Sequence, residues 1–216
     1  MARILISSLG TGRFKKTNTS ERKYDPTVYK FQSTDEIYET PFIAEALCKH
    51  LQIDRLYLIG TSKSMWEELY YYFSGFVDQI PDEGYWGKLS DRVTNFKVGG
   101  QKLTDEDLSK VNETIDRYLK NIKADATGGS RCFIIDYGLD EKEIWSNFDV
   151  IMRIGESLTE DDEIYLDITH AFRSIPLFIY IMLDLIRILK LKNDFKLAGL
   201  YYGMLEVIGE KGYAPI

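Results

Sequence analysis

Short apolar runs alternate along the chain with longer stretches whose apolar residues recur at helical spacing. Runs of four to six residues rich in Ile, Leu, Phe and Tyr predict buried strands, because a helix needs a longer pattern. These strands are expected at Ile4–Ser8, Leu56–Ile59, Cys132–Ile135, Ile164–Ile168 and Leu197–Tyr202. Strands that alternate with helices predict an α/β fold, doubly wound around a mainly parallel sheet with helices on both faces.

The stretches between the strands carry helix signals. Pro41 is a good first residue for a helix, and apolar residues follow it at helical spacing. Trp66–Phe76 predicts an aromatic-rich helix. Thr104 and Asp107 form a capping box that predicts a further helix, running to about Ile122.

Other regions predict loops, a cap and a hairpin. Val77–Gly100 contains a proline and four glycines, which predicts an irregular segment. Together with the helix that follows, it predicts a helical and loop insertion around residues 77–130. Asp140 and Glu143 predict the capped start of the helix after the third strand, and Val207–Ile208 predicts a short edge hairpin.

Three of the predicted strands are followed by residues that suit a ligand. Gly10–Gly12 follows the first strand, Gly60–Ser64 the second and Asp167–His170 the fourth. Parallel strands end at one edge of the sheet, and ligands of open α/β sheets bind in the crevice beyond it. Glycines allow backbone N–H groups to approach a ligand closely, and hydroxyls supply orientable donors. A shared binding site is therefore favoured over turns that carry these residues for their geometry alone.

The usual cofactor signatures are missing from these loops. Gly-x-x-x-x-Gly-Lys-Ser is absent, and Gly-x-Gly-x-x-Gly does not follow the first strand. The sequence therefore predicts a Rossmann-like architecture with no cofactor. Cys48 and Cys132 lie too far apart to suggest a disulfide framework or a zinc site, so no metal is predicted and a reducing cytoplasm is the default location.

The turn after Asp167 predicts an anion site. Thr169 is placed to cap a helix whose first turn would hold His170 and Arg173. A helix start offers unpaired N–H groups and a positive dipole end, and arginine adds forked donors. The same residues also suit a capped helix whose Arg173 pairs with a neighbouring carboxylate. The sequence leaves both interpretations open.

Charge is distributed unevenly. The net charge of −7 argues against a general nucleic-acid coat protein, so no general DNA binding is expected. Arg13–Lys30 holds six basic and two acidic residues, and it predicts either a collar for an anionic ligand or, more commonly, a solvated loop. Ile175–Leu183 is apolar, but Asp184 interrupts it well before the roughly 20 residues that a membrane span needs, so no membrane association is predicted.

The three strand-end segments resemble the CARF domain, the CRISPR-associated Rossmann fold, in its DxTHG-motif branch. The matching residues are Ser8–Gly12, Gly60–Trp66 and Asp167–Ser174, and they occur in the family's order over nearly the whole chain. The last segment is the most specific of the three. Within it, Ala171 stands where the family usually has glycine. A single CARF domain over residues 1–216 is therefore expected.

The resemblance implies a ligand and a partner. CARF domains form two-fold dimers that bind cyclic oligoadenylate, the second messenger of type III CRISPR complexes, across the dimer axis. A tetra-adenylate ring is favoured over a hexa-adenylate ring. The residues that the resemblance places in the ligand site are Gly10, Thr11, Gly12, Thr61, Ser62, Lys63, Ser64, Asp167, Thr169, His170, Ala171 and Arg173.

Cleavage of the messenger is a second function that the resemblance implies, because some CARF domains are ring nucleases. The chemistry would be metal-independent attack of a ribose hydroxyl on its adjacent phosphate. Thr11 and Ser62 would orient this attack, His170 would transfer a proton, and Arg173 would stabilise the developing charge. No residue compels cleavage, so a sensor that binds the ring without cleaving it is favoured.

Other functional classes have weaker support. Family members often carry a HEPN ribonuclease with an Arg-x-x-x-x-His motif, but no arginine here has a histidine five residues later, so no HEPN domain is expected. A Rossmann-like nucleotide hydrolase would combine Ser62 or Ser64 with His170 and Asp167, but the Gly-x-Ser-x-Gly elbow is absent. A sensor module of a transcription regulator is the remaining alternative, and no helix-turn-helix is visible.

Overall fold

The computed structural model describes residues 1–14, 22–78, 80–94, 102–159, 161–170, 177–181, 184–185 and 196–216. Within these residues the strands, in chain order, are β1 (Arg3–Leu9), β2 (Arg13–Phe14), β3 (Arg22–Lys23), β4 (Thr27–Lys30), β5 (Ile37–Thr40), β6 (Arg55–Thr61), β7 (Arg131–Ile135), β8 (Glu163–Asp167), β9 (Lys196–Tyr201) and β10 (Ala214–Pro215).

The five longest strands form one parallel sheet in the order β7-β6-β1-β8-β9. All five strands expected from the apolar runs are confirmed, with ends displaced by one or two residues. From β1 the chain builds outward on one side through β6 and β7, and then on the other side through β8 and β9. The strand order therefore reverses between β1 and β8, which is where an open α/β sheet leaves a crevice at its carboxyl edge.

Helices connect these strands. They are α1 (Ile43–Leu51), α2 (Trp66–Val77), α3 (Glu83–Thr94), α4 (Ser109–Ile122), α5 (Glu141–Glu156) and a short helix, Ile208–Lys211; 3₁₀ turns span Asp105–Leu108 and Leu205–Val207. Residues 177–181 and 184–185 are also helical. No helix in the described ranges is long and apolar enough to cross a membrane.

Side chains of the central strand β1 alternate between two hydrophobic cores, one on each face of the sheet. Leu5 belongs to the core that α1, α2 and α4 cover, which includes the fully buried Trp66 of α2. Ile4 and Ile6 point to the opposite core, where Ile151 of α5 packs. Full burial of each such side chain contributes roughly 1.5–3 kcal/mol. The predicted arrangement, with helices on both faces of a parallel sheet, is confirmed.

A second, three-stranded sheet stands beside the main one in the order β10-β4-β5. β4 pairs antiparallel with β5, and β10 pairs parallel with β4, with Ala214 opposite Tyr29. The pairing continues where the Ile216 N–H donates to the Lys30 carbonyl at 2.9 Å. This small sheet joins an early part of the chain to a very late one.

Two predictions of local structure are wrong. Residues 83–94, expected to be irregular, form α3, because Asp82 accepts the Tyr85 N–H at 3.0 Å and Leu89 and Val93 are buried against the first core. The expected hairpin at Val207–Ile208 is instead the junction of a 3₁₀ turn with the short helix that ends at Lys211.

The predicted helix starts agree more closely with the structure. The helix expected from Pro41 begins at Ile43, two residues later. The Asp107 carboxylate accepts the backbone N–H of Thr104 at 2.9 Å, as the capping box predicts, and it also accepts the Thr104 hydroxyl at 3.0 Å. The first turn that follows is 3₁₀. The Asp140 carboxylate accepts the Glu143 N–H at 2.8 Å, so the predicted cap of α5 is confirmed.

Candidate functional site

The loop after β1 depends on glycine at two positions. Gly12 has φ +68°, and a Cβ atom there would lie 1.9 Å from the Met65 sulfur. A Cβ atom on Gly10 would lie 2.8 Å from the Tyr24 hydroxyl oxygen. Real carbon contacts do not reach such distances, so the glycines allow Met65 and Tyr24 to pack against this loop. Thr11, between them, is exposed.

The loop after β6 is hydrogen-bonded to the loop after β1. The buried Ser64 hydroxyl donates to the Leu9 carbonyl at 2.7 Å and accepts the Thr61 N–H at 2.9 Å. The Trp66 indole donates to the Thr61 carbonyl at 2.8 Å, and the Met65 N–H donates to the Gly10 carbonyl at 3.2 Å. Thr61 and Ser64 therefore hold the two loops together from inside the fold.

Ser62 and Lys63 form the outer part of the same loop. Ser62 is half-buried and Lys63 is exposed, with the Lys63 N–H donating to the Thr61 hydroxyl oxygen at 3.3 Å. Their side chains lie at the surface near the carboxyl edge of the sheet, in contrast with the two hydroxyl residues that flank them.

The turn after β8 is organised by a buried carboxylate. Asp167 is 1% exposed, and its Oδ2 accepts the Ser7 hydroxyl at 2.5 Å. Its Oδ1 accepts the N–H and the hydroxyl of Thr169 at 3.0 and 2.6 Å. The Thr169 hydroxyl oxygen in turn accepts the Gly203 N–H at 2.8 Å. These bonds join β1, β8 and the segment after β9, and so fix the backbone that presents His170.

The two ionisable groups of this turn are shifted toward their neutral forms. Burial raises the pKa of Asp167 above its usual value of 3.8, while hydrogen bonds from Ser7 and Thr169 oppose the shift. Burial lowers the pKa of His170 below its usual 6.5, and the nearby Asp167 opposes this. His170 is therefore neutral near pH 7 and can accept a proton or a hydrogen bond at one ring nitrogen.

A cleft of about 470 Å³ opens at the carboxyl edge, where the strand order reverses. Its size lies within the range of small-molecule sites. The inner wall is the loop after β1 with His170, and the outer wall comes from the β3–β4 segment, the start of α1 and the turn after β9. The residues that line it are Gly10, Thr11, Gly12, Tyr24, Asp25, Thr27, Tyr29, Pro41, His170, Leu205 and Ile208.

The structure brings some of the predicted site residues together and sets others apart. Gly10, Thr11, Gly12 and His170 line one cleft, although they come from distant parts of the sequence. Thr61, Ser64, Asp167 and Thr169 lie behind it as hydrogen-bonded supports, and Ser62 and Lys63 lie on the neighbouring loop. Ala171 and Arg173 lie outside the described residues.

Among the basic side chains of Arg13–Lys30, the structure describes that of Lys30, and Lys30 is not one of the residues that line the cleft. Lys30 places its ammonium 2.8 Å from Asp35 and over the ring of Tyr213. Residues 15–21 of this segment lie outside the described ranges. Among the residues that are described, no group of three or more His, Cys, Asp or Glu side chains is arranged to hold a metal ion.

Sequence reasoning missed the whole outer wall of the cleft. Tyr24, Asp25, Thr27 and Tyr29 lie on or beside very short strands, which have no periodic pattern. Leu205 and Ile208 fall in the region that the sequence assigned to a hairpin. The aromatic content of residues 24–31, with Tyr24, Tyr29 and Phe31, was the available signal, but it does not distinguish a cleft wall from a core.

The comparisons with known proteins agree with this architecture. Residues 4–206 match the family model described as CRISPR system endoribonuclease Csx1, CARF domain. The chain is 46% identical, over all 216 residues, to CRISPR-associated protein MJ1674 of Methanocaldococcus jannaschii, and it spans 33% of that protein's length. With a parallel five-stranded sheet and a cleft at its carboxyl edge, this chain belongs to the family of CARF domains of Csx1-type CRISPR-associated proteins.

Proposed function

We propose that this domain binds cyclic oligoadenylate in the 470 Å³ cleft and thereby senses the messenger of type III CRISPR systems. Membership of the CARF family supports the ligand class. The observation that carries the proposal is the convergence of Gly10–Gly12 and His170 on one cleft at the point where the strand order reverses. The segment Asp167–Arg173 supports placing the chain in the DxTHG branch, with Ala171 in place of the usual glycine.

In this proposal the inner wall of the cleft binds phosphate and ribose. Thr11 is exposed between two glycines, and its hydroxyl and the loop N–H groups would bind a phosphate oxygen. Ser62 and Lys63 extend this polar surface from the next loop. Arg173, three residues after His170 in the sequence, would add a charge-assisted contact.

The buried residues of the predicted set act as supports. Thr61 and Ser64 fix the second loop against the first, and Asp167 and Thr169 fix the turn that presents His170. Their substitution should therefore change stability and binding together. A second copy of the chain would complete the site across a two-fold axis, as the symmetry of a cyclic tetra-adenylate ring favours.

Binding is tested by titrating the protein with cyclic tetra- and hexa-adenylate in a calorimeter, with linear tetra-adenylate as the ligand control. Arg173→Ala should weaken ring binding by roughly 1.5–3 kcal/mol, the cost of one charge-assisted hydrogen bond. Thr11→Val should weaken it by about 0.5–1.5 kcal/mol, since it removes a neutral donor. Thr34→Val is the matched control, because Thr34 is exposed in the β4–β5 loop away from the cleft.

The same titration decides against the proposal if neither ring binds at micromolar protein and ligand. Sedimentation of the same samples tests the shared site. A monomer both with and without a bound ring would remove the second copy from the proposal, while binding itself would stand.

Cleavage of the bound ring is a second candidate function, and the neutral state of His170 favours it. A neutral imidazole can take the proton of a ribose hydroxyl as that oxygen attacks the adjacent phosphorus atom. The bond from phosphorus to the leaving ribose oxygen then breaks, this oxygen takes up the proton that His170 carries, and a cyclic phosphate end remains. Thr11 and Ser62 would hold the hydroxyl in line, and Arg173 would stabilise the charge on the phosphorane.

Ring cleavage is tested by single-turnover incubation with cyclic tetra-adenylate in excess EDTA, followed by separation of the nucleotides. His170→Ala should slow cleavage far more than it weakens binding, because proton transfer affects the transition state. Return of the intact ring after hours with the wild-type protein would leave a sensor without nuclease activity.

A serine-dependent hydrolase has less support from the geometry. Such an enzyme needs a serine hydroxyl that donates to a histidine and a carboxylate that orients this histidine. The Ser64 hydroxyl instead donates to the Leu9 carbonyl, and both Asp167 oxygens accept hydrogen bonds from Ser7 and Thr169.

A further inference from the structure

We infer that a groove beside the cleft binds the guanidinium group of an arginine side chain that belongs to a protein partner. The groove has a volume of about 240 Å³. Tyr24 and Pro41 line it and also line the cleft, so they form the partition between the two spaces. Phe42, Glu68, Tyr71 and Tyr72 line the groove and not the cleft. The groove is therefore a second site, and its function does not depend on messenger binding.

The groove forms where α2 faces the start of α1. Glu68, Tyr71 and Tyr72 are three and four residues apart on α2, and this spacing brings them to one side of the helix. Pro41 and Phe42 come directly before α1, and Phe42 is buried. The opposing walls are thus parts of the packed fold, which keeps the groove open between them.

Aromatic rings give the groove a concave wall. The Phe42 ring meets the Tyr24 ring at a centroid distance of 5.4 Å and 75°, and the Tyr72 ring at 5.3 Å and 58°. Rings inclined at such angles enclose a space and do not form a flat surface. The hydroxyls of Tyr72 and Thr40 are hydrogen-bonded at 3.1 Å, which fixes the Tyr72 ring further. A wall that is fixed in advance loses little conformational entropy when a ligand binds.

The charge of the lining favours a cation. The face of an aromatic ring is negative and attracts a cation that lies within about 6 Å of the ring centroid. Glu68 is half-buried and adds an acidic side chain, whereas none of the described residues that line the groove is basic. The Glu68 charge attracts a cation through space, and this attraction does not require a vacant oxygen. A phosphate would meet the opposite field, so the groove differs in chemistry from the proposed messenger site.

Size and chemistry select arginine among the cations. Small-molecule sites have volumes of about 300–1,000 Å³, so the smaller groove suits one side chain better than a nucleotide. A guanidinium is planar, weakly hydrated and stacks on aromatic faces, while the lysine ammonium is compact and strongly hydrated. Arginines that enter such pockets are among the residues that contribute most to protein–protein affinity. Tyr71 is 51% exposed, so the groove is open to a partner, and the net charge of −7 attracts a basic one.

The test titrates the protein with N-acetylarginine methylamide and follows the aromatic ring protons by NMR. The matched ligand is N-acetylcitrulline methylamide, in which a neutral urea of the same shape replaces the guanidinium. It should bind roughly fivefold more weakly or worse, because it lacks the cation. Tyr71→Leu should weaken binding of the arginine probe roughly two- to fivefold, which corresponds to about 0.5–1 kcal/mol for one exposed cation–π contact.

Three further variants complete the series. Tyr71→Phe keeps the aromatic ring and should bind the arginine probe as the wild type does. Glu68→Gln should weaken binding roughly two- to fivefold, since it removes a charge at a partly exposed position. Tyr137→Leu is the control, because Tyr137 is an exposed tyrosine outside the groove, and it should leave the affinity unchanged.

Four outcomes would overturn the inference. The first is equal affinity of the wild type for the arginine and citrulline probes, and the second is the absence of any shift at the solubility limit of the arginine probe. The third is unchanged affinity of Tyr71→Leu with a normal melting curve. Tighter binding of spermidine than of the arginine probe would replace the partner's side chain with a free polyamine. Tyr71→Leu should bind cyclic tetra-adenylate as the wild type does, because Tyr71 does not line the cleft, so the two sites are tested separately.

Discussion

The loops after β1 and β6 have similar residue types but different roles in the fold. Both follow buried strands of the same sheet, and both carry glycine and hydroxyl residues. The first loop lines the cleft and exposes Thr11. The second loop turns Thr61 and Ser64 inward and uses their polar atoms to hold the first loop in place.

This difference shows that residue type alone does not mark a ligand contact. The Ser64 hydroxyl is buried and already acts as both a hydrogen-bond donor and an acceptor within the protein, so it is not available to a ligand. The glycines of the first loop are likewise explained by protein neighbours, Met65 and Tyr24, before any ligand is considered. The contrast predicts that substitutions in the second loop act through stability, whereas exposed positions of the first loop act through binding.

The largest effect is expected where the two loops touch. Gly12→Ala would force a non-glycine residue to φ +68° and place a Cβ atom against the Met65 sulfur. The left-handed conformation costs about 1–2 kcal/mol and the overpacking about 1–3 kcal/mol, so the free energy of unfolding should fall by roughly 2–5 kcal/mol. Urea unfolding measures this directly. Gly209→Ala is the control and should be nearly neutral, because a Cβ atom there meets nothing within 4 Å.

A smaller loss of stability is expected when the Ser64 hydroxyl, which links the two loops, is removed. Ser64→Ala would leave the Leu9 carbonyl and the Thr61 N–H without this partner in a buried place, which should cost about 1–3 kcal/mol. Ser62→Ala, two residues away on the half-buried outer part of the loop, should change the free energy of unfolding by less than about 0.5 kcal/mol. Equal losses in the two variants would contradict the distinction between the inner and outer parts of this loop.

The smallest effect concerns pH and the turn that faces the first loop. Because burial lowers the pKa of His170 in the folded protein, the unfolded chain takes up a proton near pH 6.5 before the folded chain does. This contribution to stability is present above pH 6.5 and is lost as pH falls through the lower, folded-state pKa. Asp167 acts with the opposite sign at lower pH, since its folded pKa is raised: its contribution is present below pH 3.8 and is lost as pH rises through the folded value.

His170→Gln removes the first of these contributions. Urea unfolding between pH 7.5 and pH 5.5 should therefore show a flatter pH dependence for this variant than for the wild type. The same slope in both proteins would show that His170 keeps its usual pKa in the fold.

The sequence predicted the main sheet well because its strands are short apolar runs bounded by loops, and burial on both faces leaves few alternatives. It missed α3, where Gly84 and Gly87 suggested a loop, because the burial of Leu89 and Val93 outweighs the poor helix propensity of two glycines. It also missed the short helix that ends at Lys211, since Gly209 and Gly212 suit a turn as well as a helix end.

The candidate site was predictable only in part, for a related reason. Gly10–Gly12 and His170 meet because parallel strands share a carboxyl edge, and this follows from the fold class alone. Thr11 and Thr61 are the same residue type, so the sequence does not show which of their hydroxyls points into the protein. The backbone geometry of each loop decides this. The outer wall depends on long-range pairing of β4 with β10, and two residues, Ala214 and Pro215, are too few to form a pattern.

The pairing of β4 with β10 also bears on how the protein is made. Tyr29 lines the cleft, yet its strand partner Ala214 belongs to a part of the chain that is synthesised much later, and the Lys30 carbonyl accepts the Ile216 N–H. Because synthesis runs from the N-terminus and local contacts form first, the five-stranded sheet can begin to assemble while the outer wall still lacks its third strand. A nascent chain released before residue 214 would carry the loops after β1 and β8, which line the cleft, without the strand that completes the small sheet.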